Sequence, residues 1–285
     1  MEVTIKEYIK KYIKDNVNHN NYEYTDILRV IAYYLNITKE QLYLKINDKK
    51  LTIKEQDCIT GLLNKMIFDN VPLQYITKRQ PFYNEEYFVN EHVLIPRQDT
   101  EILVEKAIEY INRYKYTSLL DMCSGSGCIG ISVANNSNIK DITLVDISRS
   151  ALEVTKKNIK LNNLKKDIKV IESDLFSGLG NEKFDIIVSN PPYIKSKDML
   201  ALELQVLNEP HLALHGGIDG LDIYRKILEQ AKKFLHDNSI LMFEIGYDQL
   251  NDMKKLISIH KEYSILECIK DLANNDRVIV CRFNN

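Results

Sequence analysis

The sequence predicts an α/β protein: a mainly parallel, seven-stranded sheet with helices on both faces, preceded by a small helical bundle and a β-hairpin. Three observations predict it. Apolar stripes at helical spacing run through residues 1 to about 72. Strand-like and helix-like segments alternate from Ser118 onward, the pattern of strands joined by helical crossovers. A glycine-rich turn separates the first of those strands from the helix after it, where such sheets take up ligands.

Composition bounds the rest. A chain of 285 residues can hold one large or two ordinary domains. With 45% apolar and 27% charged residues it reads as globular, and 10 Gly and 6 Pro exclude a collagen-like chain. No apolar run approaches the roughly 20 residues of a membrane helix. Met1-Glu2-Val3-Thr4-Ile5-Lys6-Glu7 carries charge where a signal peptide needs an apolar run. The net charge is −2, with 11 basic against 10 acidic residues in 1–75 and 27 against 30 in 76–285. This speaks against a free-standing nucleic-acid binder. Cys58, Cys123, Cys128, Cys268 and Cys281 are odd in number and form no Cys-x-x-Cys, so they read as reduced thiols of a cytoplasmic protein.

The elements follow in order. Ile5, Tyr8, Ile9, Tyr12 and Ile13 form one helical stripe; Ile27, Leu28, Ile31, Tyr34 and Leu35 after Thr25 form a second. Thr52 with Glu55 reads as a capping box for a third helix through Ile59, Leu62, Leu63 and Met66. Pro72 is expected to end the bundle. Pro81-Phe82-Tyr83 and Tyr87-Phe88-Val89 flank a polar Asn84-Glu85-Glu86, the pattern of a hairpin. The expected division is a helical domain at 1–72, a linker with the hairpin at 73–95, and the α/β domain at 96–285. Thr100 opens a helix carrying Ile102, Leu103, Ala107, Ile108 and Ile111. Expected strands are 118–122, 142–146, 168–173, 184–190 and 239–246, and expected helices are 128–136, 148–161, 219–235 and 248–258. Two apolar runs, 263–269 and 277–283, close the chain as an antiparallel pair at one sheet edge.

Asp121-Met122-Cys123-Ser124-Gly125-Ser126-Gly127-Cys128-Ile129-Gly130 lies between the first strand and its helix. Glycines permit positive φ and close approach of backbone to a ligand. Gly125, Gly127 and Gly130 also satisfy G-x-G-x-x-G, a weak motif alone. Asp146 ends the next strand, 19 residues after Gly127, where a carboxylate can accept hydrogen bonds from ribose hydroxyls. That fits NAD and S-adenosylmethionine equally. Asp174 could accept an adenine amino group, and Leu175 or Phe176 could pack on its face. The bland alternative is that these acids only cap helices.

The fourth strand ends in Ser189-Asn190-Pro191-Pro192-Tyr193. A plain strand-ending turn would use the same residue types. Its place at a carboxyl strand end, beside the presumed cofactor turn, favours chemistry. A planar amide or aromatic amine is a poor nucleophile because its nitrogen lone pair is delocalised. Acceptors for its N–H groups would hold it and favour lone-pair development toward a methyl donor. Asn190 offers a side-chain carbonyl, and Pro191 a backbone carbonyl with no competing N–H. Tyr193 offers a flat face for stacking. Catalysis is then mostly positioning.

Asn-Pro-Pro-Tyr after the fourth strand resembles the signature of class I methyltransferases acting on planar nitrogens. Pro72-Leu73-Gln74-Tyr75-Ile76 and Val93-Leu94-Ile95-Pro96-Arg97-Gln98-Asp99-Thr100-Glu101 resemble the linker of the release factor glutamine methyltransferases. Glu209-Pro210, Ala213-Leu214, Gly216-Gly217, Asp219-Gly220-Leu221, Tyr224-Arg225, Phe243-Glu244-Ile245-Gly246 and Asp276-Arg277-Val278 continue the likeness over 72–283. The resemblance implies a Rossmann-like class I fold with an antiparallel last strand. It implies S-adenosyl-L-methionine as cofactor and S-adenosyl-L-homocysteine as product. It implies as substrate the glutamine of the Gly-Gly-Gln loop of class 1 peptide-chain release factors, acting in translation termination, with the helical domain helping to dock that partner. Cys123, Ser124, Gly125, Ser126, Gly127, Asp146, Asp174, Leu175, Asn190 and Arg97 then hold the cofactor. Asn190, Pro191, Pro192 and Tyr193 hold the amide, with Asn190, Pro191 and Tyr193 catalytic. Lys78 stands where the family usually has Gly, and Gln98 where it usually has Pro.

Other residues are weighed against this. Glu209, His211 and His215 could suggest a metal, but Pro210 and Gly216-Gly217 argue against one rigid helix there, and no metal is expected. Arg97 could instead cap a helix or face solvent. A monomer that engages neither nucleic acid nor membrane is expected. An adenine- or guanine-amino methyltransferase on DNA or RNA shares the tetrapeptide and stays open as an alternative. An NAD-dependent oxidoreductase fits the glycine turn and Asp146 but leaves Asn190–Tyr193 without a role. A binding module that kept only the cofactor pocket is a further option.

Overall fold

The structure is a computed structural model, and it describes residues 1–16 and 22–284. The part of the helical expectation that covers 17–21, and residue 285, lie outside the described residues. The chain divides into two compact units, one of 1–78 with 203–208 and the other of 79–202 with 209–285. Among the described residues no helix is long and apolar enough to cross a membrane.

In the first unit, helices Ile5–Asn16, Tyr24–Tyr34, Lys39–Lys45 and Ile53–Ile67 pack Ile5, Leu28, Ile31, Leu42, Leu51, Ile59 and Leu63 into a fully buried core. The expected stripes supply the buried positions. The capping box of Thr52 and Glu55 is present, with each side chain bonded to the other's backbone N–H. A second box, Thr38 with Gln41, opens the helix Lys39–Lys45, which the stripes did not reveal. Pro72 does not end the helical run. It caps a further turn, Leu73–Thr77, its carbonyl accepting from Tyr75 and Ile76 N–H. Proline fits there because its missing N–H would have no intrahelical partner. Lys78 closes that turn at φ +58, a left-handed conformation that glycine adopts without strain. Glycine, which the resemblance leads one to expect here, would take that conformation at no steric cost.

The second unit is built on a seven-stranded sheet: β1 (Ser118–Met122), β2 (Asp141–Asp146), β3 (Ile168–Glu172), β4 (Phe184–Ser189), β5 (Leu235–Glu244), β6 (Tyr263–Lys270) and β7 (Asp276–Phe283). Their spatial order is β6-β7-β5-β4-β1-β2-β3. The five strands from β3 across to β5 are parallel, and β7 runs antiparallel between β5 and β6. The closing pair lies antiparallel at one sheet edge as expected, with β6 outermost and the last strand, β7, beside β5. The central strands are buried along nearly their whole length, as expected of a parallel sheet covered on both faces. Helices Glu101–Tyr114, Cys128–Asn136, Arg149–Leu161, Asp222–Ala231 and Leu250–Ile259 cover it.

The hairpin comprises Gln80–Phe82 and Glu85–Tyr87. Its turn is shorter than the polar run suggested, with Tyr83 (φ +49) and Asn84 (φ +64) as the two central residues. Positive φ at both gives the tight turn whose twist matches paired strands. Tyr87 anchors the hairpin: its ring is fully buried, and its hydroxyl lies 2.7 Å from Ser132 Oγ, 2.7 Å from Glu85 Oε2 and 3.2 Å from the Cys128 carbonyl. Tyr87→Phe should destabilise the protein by about 1–2 kcal/mol in urea unfolding, since buried acceptors lose a donor at constant shape.

Candidate active site

Register sets the site. Met122 of β1 pairs with Ser189 of β4 and with Val145 of β2, while Ser189 pairs with Phe243 of β5. The next residues, Cys123, Asn190, Asp146 and Glu244, therefore emerge in one row at the carboxyl ends of four adjacent strands. The chain reverses its direction of winding between β1 and β4, the position where open α/β sheets hold ligands.

A cavity of about 310 Å³ opens there. Cys123, Ser124, Gly125, Ser126, Asp146, Asp174, Leu175, Asn190, Pro192 and Arg97 all line it, as do Val93, Leu94 and Thr100. Gly127, Pro191 and Tyr193 do not border it. Gly127 is the N-cap of the helix Cys128–Asn136, at φ +80. Pro191 is buried, and Tyr193 packs on the sheet core with its phenol pKa raised by burial. Leu175 faces the cavity, but Phe176 stacks on Phe234 at 4.8 Å instead.

The glycine turn is held from several sides. Cys123 (φ +63), Gly125 (φ +55) and Gly127 (φ +80) carry the chain through left-handed backbone. Asp146 Oδ2 accepts from Gly125 N–H and Oδ1 from Ser148 N–H, both at 2.8 Å. Burial still raises its pKa. Thr155 donates to the Gly125 carbonyl at 2.8 Å, and buried Asn158 donates to the Ser126 carbonyl at 2.9 Å while bonding both N–H and C=O of Phe88. Sequence reasoning missed this pair. The signal was there: Thr155 and Asn158 are polar residues on the buried face of an amphipathic helix, beside Ala151, Leu152 and Val154.

Asp121 does what the bland reading allowed. It is wholly buried, and its Oδ2 accepts from Gly130 N–H at 2.9 Å in the first helical turn. Gly130 is required by space: a Cβ there would stand 2.2 Å from Leu144 Cδ2. Burial pushes Asp121 up to about 7 from 3.8. Between those values the folded protein binds a proton the unfolded chain does not, so this group's contribution to stability declines as pH rises across that window. Asp121→Asn should flatten the fall in melting temperature between pH 5 and pH 8. Glu244, raised to about 7 by burial, contributes in the same sense and remains in that variant. Parallel curves for the two proteins would refute this account.

Arg97 pairs with the buried carboxylate of Glu209, whose other oxygen accepts from Ile95 N–H at 2.9 Å. His215 Nε2 lies 2.8 Å from Ser196 Oγ. Two of the three residues weighed as metal donors are thus engaged elsewhere. A single helical turn, His211–Leu214, follows Pro210. Burial raises the Cys123 thiol, and lifts Cys128 to about 12, which leaves both without thiolate character.

Residues 98–218 match the family model of the methyltransferase small domain. A crystal structure of a methyltransferase from Pyrococcus furiosus covers 82% of this chain and all of its own, with a TM-score of 0.50 at 16% identity, a likeness of fold alone. A release factor glutamine methyltransferase of Thermodesulfovibrio yellowstonii is 35% identical over 271 residues, 94% of this chain and 95% of its own. One from Borreliella burgdorferi is 39% identical over 244 residues, covering 85% of this chain and 84% of its own. With a sheet of this order and likeness along nearly the whole chain to relatives more than 30% identical, this protein belongs to the release factor glutamine methyltransferase family.

Proposed function

We propose that this protein transfers a methyl group from S-adenosyl-L-methionine to the side-chain amide nitrogen of the Gly-Gly-Gln glutamine in class 1 release factors. The observation that carries it is the placing of Asn190 in the same cavity wall as the glycine turn and Asp146. The residues fit the cofactor. Among the described residues Ser124 Oγ is buried in that wall without a hydrogen-bond partner, the Asp146 carboxylate lines the cavity as an acceptor that ribose hydroxyls can use, and Leu175 offers an apolar face to a purine. The cofactor would supply a methyl made electrophilic by its sulfonium.

The protein's part is positioning. Asn190 Oδ1 accepts an amide N–H and directs the nitrogen lone pair at the methyl carbon. Pro192 lines the cavity beside it, while Pro191 and Tyr193, which lie off the cavity wall, hold the segment in place behind it. Methyl transfer from the sulfonium would leave a neutral thioether and a cationic amide nitrogen that loses its proton to water, so no strong base is needed beforehand. Reading 1–72 as a docking domain for the release factor, 73–95 as linker and 96–285 as the catalytic domain belongs to the same proposal. So do cytoplasmic location and action as a monomer without nucleic acid.

Intact-mass measurement of a release factor incubated with enzyme and cofactor tests it. A gain of about 14 Da confined to the loop glutamine is expected for one added methylene. No gain there, with methylation of DNA or RNA instead, would overturn it.

A further inference from the structure

The proposed reaction needs the oxygen of the Asn190 side chain toward the substrate and its nitrogen away. Oxygen and nitrogen differ little in shape, so something must set the choice. Asn190 Nδ2 donates to Thr100 Oγ1 at 3.3 Å. Thr100 is 2% exposed, and although it precedes the helix Glu101–Tyr114 its side chain makes no cap bond. The Glu244 carboxylate stands level with Asn190 on the neighbouring strand, and hydrogen bonding with Thr100 and Asn190 opposes the rise that burial gives its pKa. An ionised carboxylate can only accept. When Glu244 is ionised it offers the single hydroxyl proton of Thr100 an acceptor, which leaves the Thr100 oxygen lone pairs for the Asn190 N–H. A flipped Asn190 would set oxygen against oxygen.

Glu244 is 2% exposed, and its Oε2 is buried with no hydrogen-bond partner among the described residues. Arg277, bonded to Asp271 at 2.8 Å and to Asp99 at 3.1 Å, lends it positive charge. Such a group costs stability and does not touch the cavity.

We propose that Thr100 and Glu244 are positioning residues that fix the flip of Asn190, holding Nδ2 inward and presenting Oδ1 to the substrate nitrogen. This rests on the assignment of Asn190 as the acceptor for the amide.

The test is steady-state kinetics at pH 8, above the raised pKa of Glu244, with release factor and S-adenosylmethionine, beside calorimetry with S-adenosylhomocysteine. Thr100→Val should lower kcat about 10–100-fold, the scale of a misplaced reacting group. The dissociation constant of S-adenosylhomocysteine should stay within about twofold, and Thr100→Ser should recover most of the rate. Glu244→Leu should act like Thr100→Val; should it not fold, Thr100→Val carries the test, since it exchanges a hydroxyl for a methyl of the same shape. In an Asn190→Ala background Thr100→Val should have no further effect, because it acts through Asn190. Wild-type kcat in Thr100→Val, or equal losses in Thr100→Val and Thr100→Ser, would overturn the polarity assignment. Wild-type turnover in Asn190→Ala would instead overturn the functional reading on which it rests.

Discussion

Asn190→Ala is expected to lower kcat by about 10²–10³-fold, the scale measured when one preorganised polar group is removed from an active site. Asn190 sits at the end of β4, level with the glycine turn on β1, and lines the cavity beside Asp146. Truncation removes an acceptor for the amide N–H without touching the turn or Asp146, so S-adenosylhomocysteine affinity should fall only a few-fold. Asn190→Asp separates shape from polarity. It keeps the size and an acceptor, but loses the donors to Thr100 and Glu244 and sets a second carboxylate against Glu244. It should be at least as slow as Asn190→Ala, because two carboxyls this close either repel or hold one of the pair protonated. Single-turnover measurement with saturating cofactor checks both. A wild-type rate for Asn190→Ala would remove Asn190 from the chemistry.

What the sequence could reveal follows from how local each signal is. β1 is a short, buried parallel strand, and its apolar run marks both ends. β5 is harder: it begins at Leu235, but His236, Asp237 and Asn238 are exposed, and its pairing with β4 shifts register between Phe184 and Ile186. A polar bulge does not alternate, so the strand was expected only from Ser239. The helix Lys39–Lys45 carries as good a capping box as Ile53–Ile67 does, yet buries only Leu42, so it shows no stripe. At the site, the glycine turn, Asp146 and Asn190 were legible because each follows a strand end. Thr100 and Glu244 were not, since their partners lie far along the chain, and Asn158 showed only as a polar residue on the buried face of its helix. The left-handed Lys78 and the one-turn helix beginning at Gln98 show that two departures from the family pattern are conformationally tolerable. Proline would fit at Gln98 because the first residue of a helix needs no N–H partner.

Gly216→Ala should have the second large effect, for a reason of space. Gly216 lacks the positive φ of Gly217 and Gly220, so its backbone suits any residue. A Cβ on it, however, would stand 2.7 Å from the Pro192 carbonyl oxygen and 2.7 Å from Tyr193 Cα, distances that no side chain can relieve because the opposing atoms are backbone. The segment after Asn190 is clamped against this glycine: Ile194 N–H donates to the Leu214 carbonyl, Gly216 N–H to the Ile194 carbonyl, both at 2.9 Å, and Gln249 Nε2 to the Tyr193 carbonyl at 3.0 Å. The methyl must therefore displace the segment that directly follows Asn190. A displacement near 1 Å at reacting groups lowers rates by about 10²-fold, so kcat should fall on that scale. Overpacking should also cost about 1–3 kcal/mol of stability. S-adenosylhomocysteine should bind nearly as before, because its turn and carboxylate belong to β1 and β2. Gly61→Ala is the control. It lies within the helix Ile53–Ile67 with nothing within 4 Å of its added Cβ, and should keep full activity while gaining about 0.5–1 kcal/mol. Full activity in Gly216→Ala would mean that the tetrapeptide is not held by this clamp, and that the pair of glycines after His215 serves the turn alone.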